Sequence, residues 1–264
     1  MVSDIMEWSE ISFLQKPWIK YGALFLANLM TLTSLILGIV GIVITFKNYE
    51  NYSIWFARIL AVCSIFDFAD GKLAKIGGSK KIAVDVDTIS DSIVFGVLPA
   101  IYLGYWVSDW SIVAGVFTSL IYVGAVWFRL YRFTKKDPMY TPYFKGLPSP
   151  FAAMVIACLL IFPDTPEWGV LIATIILAGF MISTIPFASF KGVPSKFDWF
   201  WIVVTTIVVI LFAAFPTDLM EFPAYSLATL MVIYLIGGPI YAEKLDKKYQ
   251  QEKKLKRKML FQEA

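Results

Sequence analysis

The sequence predicts an all-α integral membrane protein with about eight transmembrane helices, a polar site facing the cytoplasm and an N-terminal helix lying at the interface. Three observations predict it. Hydrophobic residues fill 58% of the 264 positions and charged residues only 16%, with a mean hydropathy of +0.69, far from the balance of a soluble domain. Apolar runs recur at close to the roughly 20 residues that a helix needs to cross hydrocarbon. Lysine and arginine gather in alternate connections, as in a polytopic chain of fixed orientation.

The opening segment, 1–20, lacks the charged n-region and small-residue cleavage site of a secretory signal. It is acidic and aromatic, with Trp8, Phe13 and Trp18, and reads as an interfacial helix. The membrane domain follows over 21–241, with spans at about 21–46, 54–74, 86–107, 111–131, 149–163, 168–187, 199–215 and 222–241. The fifth is short and preceded by Gly146-Leu-Pro148-Ser-Pro150, and prolines at 163, 166, 186 and 216 mark other ends. Trp106, Trp110 and Trp168 suit interfacial anchors. The tail, 242–264, mixes acids and bases with a basic excess and reads as a solvated helix brushing anionic lipid.

Basic residues cluster before span one (Lys16, Lys20), after span two (Lys72, Lys75, Lys80, Lys81), after span four (Arg129, Arg132, Lys135, Lys136, Lys145), after span six (Lys191, Lys196) and in the tail. The connections around Asp109, Asp164 and Asp218 carry none. The positive-inside rule then sets both termini on the cytoplasmic side of a cell membrane.

The chain has no histidine, which excludes imidazole bases, His-ligated zinc and a Ser-His-Asp triad. Cys63 and Cys158 lie far apart inside apolar runs and read as packing residues rather than a disulfide or thiolate metal site. Proton transfer falls to carboxylate, lysine, tyrosine or water.

Four acids stand out where spans two and three meet a lysine-bearing turn: Asp67 and Asp70, then Asp87 and Asp91. Separations of three and four residues put each pair on one helix face. Carboxylates near a bilayer are costly unless they bind something, and a face of hard oxygen donors suits Mg2+ or Mn2+ rather than zinc. Asp85 projects about 200° around the helix from Asp87 and is not expected to share a ligand face. Spacing does not say which carboxylate would act as a base.

The run from Asp67 to Asp91 resembles the signature of the CDP-alcohol phosphotransferases, Asp-x2-Asp-Gly-x2-Ala-Arg-x8-Gly-x3-Asp-x3-Asp. Phe95-Gly-Val-Leu-Pro99, Arg129-Leu-Tyr-Arg132-Phe133, Gly146-Leu-Pro148-Ser-Pro150 and the stretch from Met181 to Lys191 resemble the phosphatidylserine synthase branch of that family. The resemblance implies a membrane enzyme of phospholipid synthesis. It would move a phosphatidyl or archaetidyl group from a CDP-linked lipid to the hydroxyl of L-serine and release CMP.

It implies two Mg2+ or Mn2+ ions, bound by Asp67, Asp70 and Asp87 with Asp91 near the second ion, and makes Asp91 the candidate base. It also implies a homodimer; no nucleic acid is expected as a partner. Gly71 and Ala74, one turn apart, would let the cytidine diphosphate group approach span two, where a small-residue pair elsewhere would read as helix packing. Asn28 and Thr31 resemble the family's Asn-x2-Thr element; they reach either the nucleotide or a neighbouring helix. Arg129 and Arg132 share a face at the end of span four and suit the lipid phosphate or the serine carboxylate, or else snorkel. Lys145 and, more weakly, Ser149 are further candidates for that role.

The chain departs from the family pattern at three points. Lys75 stands for the arginine, Ala83 for the second glycine, and the stretch between them is one residue shorter. Lysine keeps the charge but loses the bidentate fork on phosphate, so Lys75 and Ala83 bear on nucleotide affinity more than on metal binding. The loop Gly77-Gly78-Ser79 is expected to absorb the deletion. Rival readings are the same reaction with glycerol phosphate, inositol phosphate or choline as acceptor, a non-catalytic lipid-binding relative, and a cation transporter. The last would place acids near mid-span on several helices.

Overall fold

The structure, a computed structural model, describes residues 16–47, 51–78, 82–135, 143–162, 164–188 and 196–262. The helices are α1 (Pro17–Phe46), α2 (Tyr52–Gly77), α3 (Ile82–Asp91), α4 (Leu98–Ser108), α5 (Ile112–Lys135), α6 (Ser149–Leu159), α7 (Glu167–Ile182), α8 (Lys196–Ala214) and α9 (Glu221–Gln262). A π-helical stretch, Ser92–Val97, joins α3 to α4. All eight expected spans appear as apolar helices. Five are long enough to cross a membrane, the third being Val86–Ser108 continuous through the π turn; apolar stretches Ser149–Leu159, Glu167–Ile182 and Val203–Ala214 are shorter. The proposed interfacial helix falls largely on residues 1–15, outside the described set.

α1 packs one face against the rest of the bundle. Pro17 sits in its first turn, where a missing N–H costs nothing. Its buried positions, Ala23, Ala27, Thr31, Ser34, Gly38, Gly41 and Thr45, are all small, while Phe25, Leu29, Ile36 and Val43 face outward. Lipid is as apolar as leucine, so close backbone approach through small residues drives packing here. A Cβ on Gly38 would lie 2.9 Å from Val94 Cγ2, and one on Gly41 would lie 2.9 Å from Leu98 Cδ2.

α2 ends in a left-handed glycine: Gly78 takes φ +73 and its N–H bonds the Ala74 carbonyl. That conformation closes helices cheaply only at glycine, and it turns the chain from one acid pair toward the other. The π turn after Asp91 has a local cause. Pro99 lacks a donor, and in a regular α-helix its ring would strike the carbonyl four residues back. Widening is one solution, and π turns often mark functional sites.

Two short strands were not foreseen from the sequence. β1 (Tyr143–Lys145) and β2 (Pro186–Ala188) pair antiparallel, with Phe144 opposite Phe187. Phe187 is fully buried and stacks on Tyr234 of α9. The β-ribbon thus pins the C-terminal ends of α5 and α7 to α9. α9 itself runs unbroken from the bilayer segment into the basic tail.

Candidate active site

Each acid pair is displayed on one helix, α2 for Asp67 and Asp70, α3 for Asp87 and Asp91. The structure brings Asp67, Asp87 and Asp91 together: one carboxylate oxygen from each lies within 4.8 Å of the others, and all three side chains are half-buried. Such a trio of like charges is stable only with compensating positive charge, and its donors are hard oxygens. The residues fit a divalent cation such as Mg2+ or Mn2+; both cysteines are buried elsewhere.

Asp70 stands apart. It is 6% exposed and outside the trio, and Thr31 Oγ1 of α1 donates to its Oδ2 at 2.9 Å. The same hydroxyl lies 3.1 Å from the Ala27 carbonyl. The bond to Asp70 is an interhelical hydrogen bond, one of the two readings open for Thr31. Asn28, one position along α1 from Ala27, is exposed.

Arg129 is 9% exposed and donates to Ser149 Oγ, itself fully buried at the start of α6. Its guanidinium is close enough to Asp91 and Asp67 to interact with their charges. A buried arginine beside half-buried carboxylates is held by that compensation. Arg132 behaves differently. Its Nη1 donates to the carbonyls of Ile182 (2.8 Å) and Ser183 (2.9 Å), and its Nη2 to those of Lys145 and Met181. It therefore caps the C-terminus of α7, whose last carbonyls have no helical partner, and locks β1 to it. Gly146, at φ +81, makes room: a Cβ there would strike the Met181 carbonyl and approach Arg132 Nη2 at 2.7 Å. Lys145 is exposed on β1.

Gly71 is exposed, and a Cβ built on it would meet nothing within 4 Å. Ala74, one turn on, is half-buried. Among the described residues no neighbouring helix fills the space over Gly71. Lys75, Ala83 and Asp85 lie on helical backbone, but their side chains are outside the described set.

Two participants escaped the sequence reading. Ser90, 3% exposed between the acids of α3, donates to the Thr31 carbonyl at 3.2 Å. Tyr234 of α9 lies within electrostatic reach of Arg129. Ser90 had a signal, a small hydroxyl on the acid-bearing turn of an apolar helix; Tyr234, more than a hundred residues away in sequence, had none.

With this geometry in view, the comparisons with known proteins are specific. Residues 24–186 match the family model described as CDP-alcohol phosphatidyltransferase, and the chain belongs to that family. It is similar to the CDP-diacylglycerol–serine O-phosphatidyltransferase of Helicobacter pylori (strain ATCC 700392 / 26695), 30% identical over 225 residues, covering 81% of this chain and 89% of that protein. Proteins of the same name match over a shorter stretch. That of Mycobacterium leprae (strain TN) is 30% identical over 142 residues, 51% of this chain and 46% of that one. That of Mycobacterium tuberculosis (strain ATCC 25618 / H37Rv) is 26% identical over 147 residues, 51% and 48%.

Proposed function

We propose that this transferase moves a phosphatidyl-type group from a CDP-linked lipid to the hydroxyl of L-serine, releasing CMP. The observation that carries the reading is the convergence of Asp67, Asp87 and Asp91 beside the open surface of Gly71, within the family's matched region. The acceptor follows the name of the Helicobacter pylori relative, which this chain matches over most of its length. In the transfer, the serine oxygen forms a bond to the lipid-side phosphorus. The bond from that phosphorus to the bridging oxygen of the diphosphate breaks, and CMP leaves with that oxygen.

Asp91 takes the serine hydroxyl proton, the role that the family resemblance implies for the last acid of the run. Asp67, Asp70, Asp87 and Asp91 would hold Mg2+ or Mn2+, as two ions, supplying neutralisation of the diphosphate charge. Gly71, Ala74, Lys75 and Ala83 form the side toward the nucleotide, with Asn28 at its edge. Arg129 offers its charge to the serine carboxylate or the lipid phosphate, and Lys145 lies exposed nearby in the chain; Arg132 supports that region by holding α7 and β1. The acid end and both termini face the cytoplasm at the cell membrane, the enzyme works as a homodimer, and 1–20, 21–241 and 242–264 act as interfacial segment, catalytic membrane domain and tail.

The test is CMP release by the purified full chain given CDP-diacylglycerol and Mn2+ or Mg2+, with serine, glycerol phosphate, inositol phosphate or no acceptor. Serine-dependent release is expected. Release with another acceptor alone would move the substrate assignment, and none with any acceptor would overturn the catalytic reading.

A further inference from the structure

The two acid-bearing helices, α2 and α3, pack mainly against α1 and little against each other. The spacing of the two acid pairs is therefore set through a third helix that carries no acid. Two hydrogen bonds make the link: Thr31 Oγ1 of α1 donates to Asp70 Oδ2 of α2 at 2.9 Å, and Ser90 Oγ of α3 donates to the Thr31 carbonyl at 3.2 Å. All three residues are buried.

We infer that Thr31 is a positioning residue: with Ser90 it ties both acid-bearing helices to α1 and presents Asp70 to the cation held by the acid trio. The inference rests on the reading of those acids as a divalent-cation site. Thr31 has one hydroxyl hydrogen and two acceptors in reach, its own helix at Ala27 and the Asp70 carboxylate. A charged acceptor makes the stronger bond, and the β-branched side chain restricts the rotamers that threonine can adopt. One Asp70 oxygen is thereby fixed. Ser90, adjacent to Asp91, registers α3 against the same turn of α1. Side chains that orient metal-binding carboxylates typically contribute about 10- to 100-fold in metal affinity.

The experiment titrates Mn2+ into the purified full chain without substrate and follows the loss of the electron paramagnetic resonance signal of aqueous Mn2+. Thr31→Val, isosteric but without the hydroxyl, is expected to weaken Mn2+ binding about 10-fold, and Thr31→Ser to restore it to within a few-fold. Ser90→Ala, which leaves the Thr31–Asp70 bond in place, should weaken it measurably but less than Thr31→Val does, and carries the test if Thr31→Val fails to fold. Wild-type affinity in both Thr31→Val and Ser90→Ala would overturn the inference and leave the metal reading standing. Unchanged Mn2+ affinity with a raised half-saturating CDP-lipid concentration in Thr31→Val would also overturn it, assigning Thr31 to the nucleotide. Absence of Mn2+ binding by the wild-type chain would overturn both.

Discussion

The two ends of the bundle use glycine for opposite purposes. At the turn of the α4–α5 hairpin, Gly104 and Gly115 face each other. A Cβ on Gly115 would lie 2.6 Å from the Gly104 carbonyl and strike Ser108 Oγ, and one on Gly104 would strike Ser119 Oγ. At the acid end, a Cβ on Gly71 would meet nothing within 4 Å. One pair is small so that two backbones of this chain can touch; the other position is small with no backbone of the described residues against it. The contrast separates glycines that packing requires from one that it does not, although both stand in apolar helices beside hydroxyl or carboxylate groups.

The largest effects that sharpen this contrast lie in the acid trio. Asp91→Asn is expected to lower kcat by about 10²- to 10⁴-fold, the usual range for a positioned base. Asp67→Asn and Asp87→Asn should abolish turnover and Mn2+ binding together; near-normal rates in either would break the metal-site reading.

Next come the glycines. Gly115→Val should destabilise the chain by about 1–3 kcal/mol, the usual cost of overpacking a tight contact, visible as a lowered melting temperature in detergent. Gly71→Ala should leave melting unchanged or raise it by roughly 0.5–1 kcal/mol of helix propensity, yet raise the KM for CDP-lipid. A Gly71→Ala enzyme with wild-type KM would show that the two glycines differ only in crowding. Gly146→Ala combines both penalties, a left-handed backbone and a collision with the Met181 carbonyl. It should lower melting and loosen the Arg132 clamp on α7, read as faster proteolysis between α5 and α6.

The smallest effect belongs to the exposed Glu243–Lys247 pair on α9, 2.9 Å apart. Such surface pairs contribute little, and Lys247→Ala should leave melting and turnover unchanged.

Much of the acid site was legible because helical geometry is local. Residues three and four apart on α2 and on α3 had to share a face, whatever the rest of the chain did. The glycine after α2 was legible for the same reason, since only glycine closes a helix cheaply at φ +73. Less legible were the lengths of α6 and α7, where prolines and turns shorten apolar runs that hydropathy alone extends, and the β-ribbon, whose strands are separated by some forty residues. Arg129 and Arg132 looked equivalent, three residues apart on one face. One turns inward to Ser149 and the acids, the other spends its donors on the end of α7.

By itself the sequence determined that the chain lives in a membrane, that four acids sit on two adjacent spans, and that their oxygens suit a hard divalent cation. Those properties depend on composition and on periodicity within single helices. Only the tertiary structure decided that three acids converge while Asp70 is held by Thr31, that Arg132 is a clamp, and that Gly71 is open where Gly104 and Gly115 are closed. Each of those depends on which helices meet, and the small residues that let helices meet in lipid look alike in sequence wherever they stand.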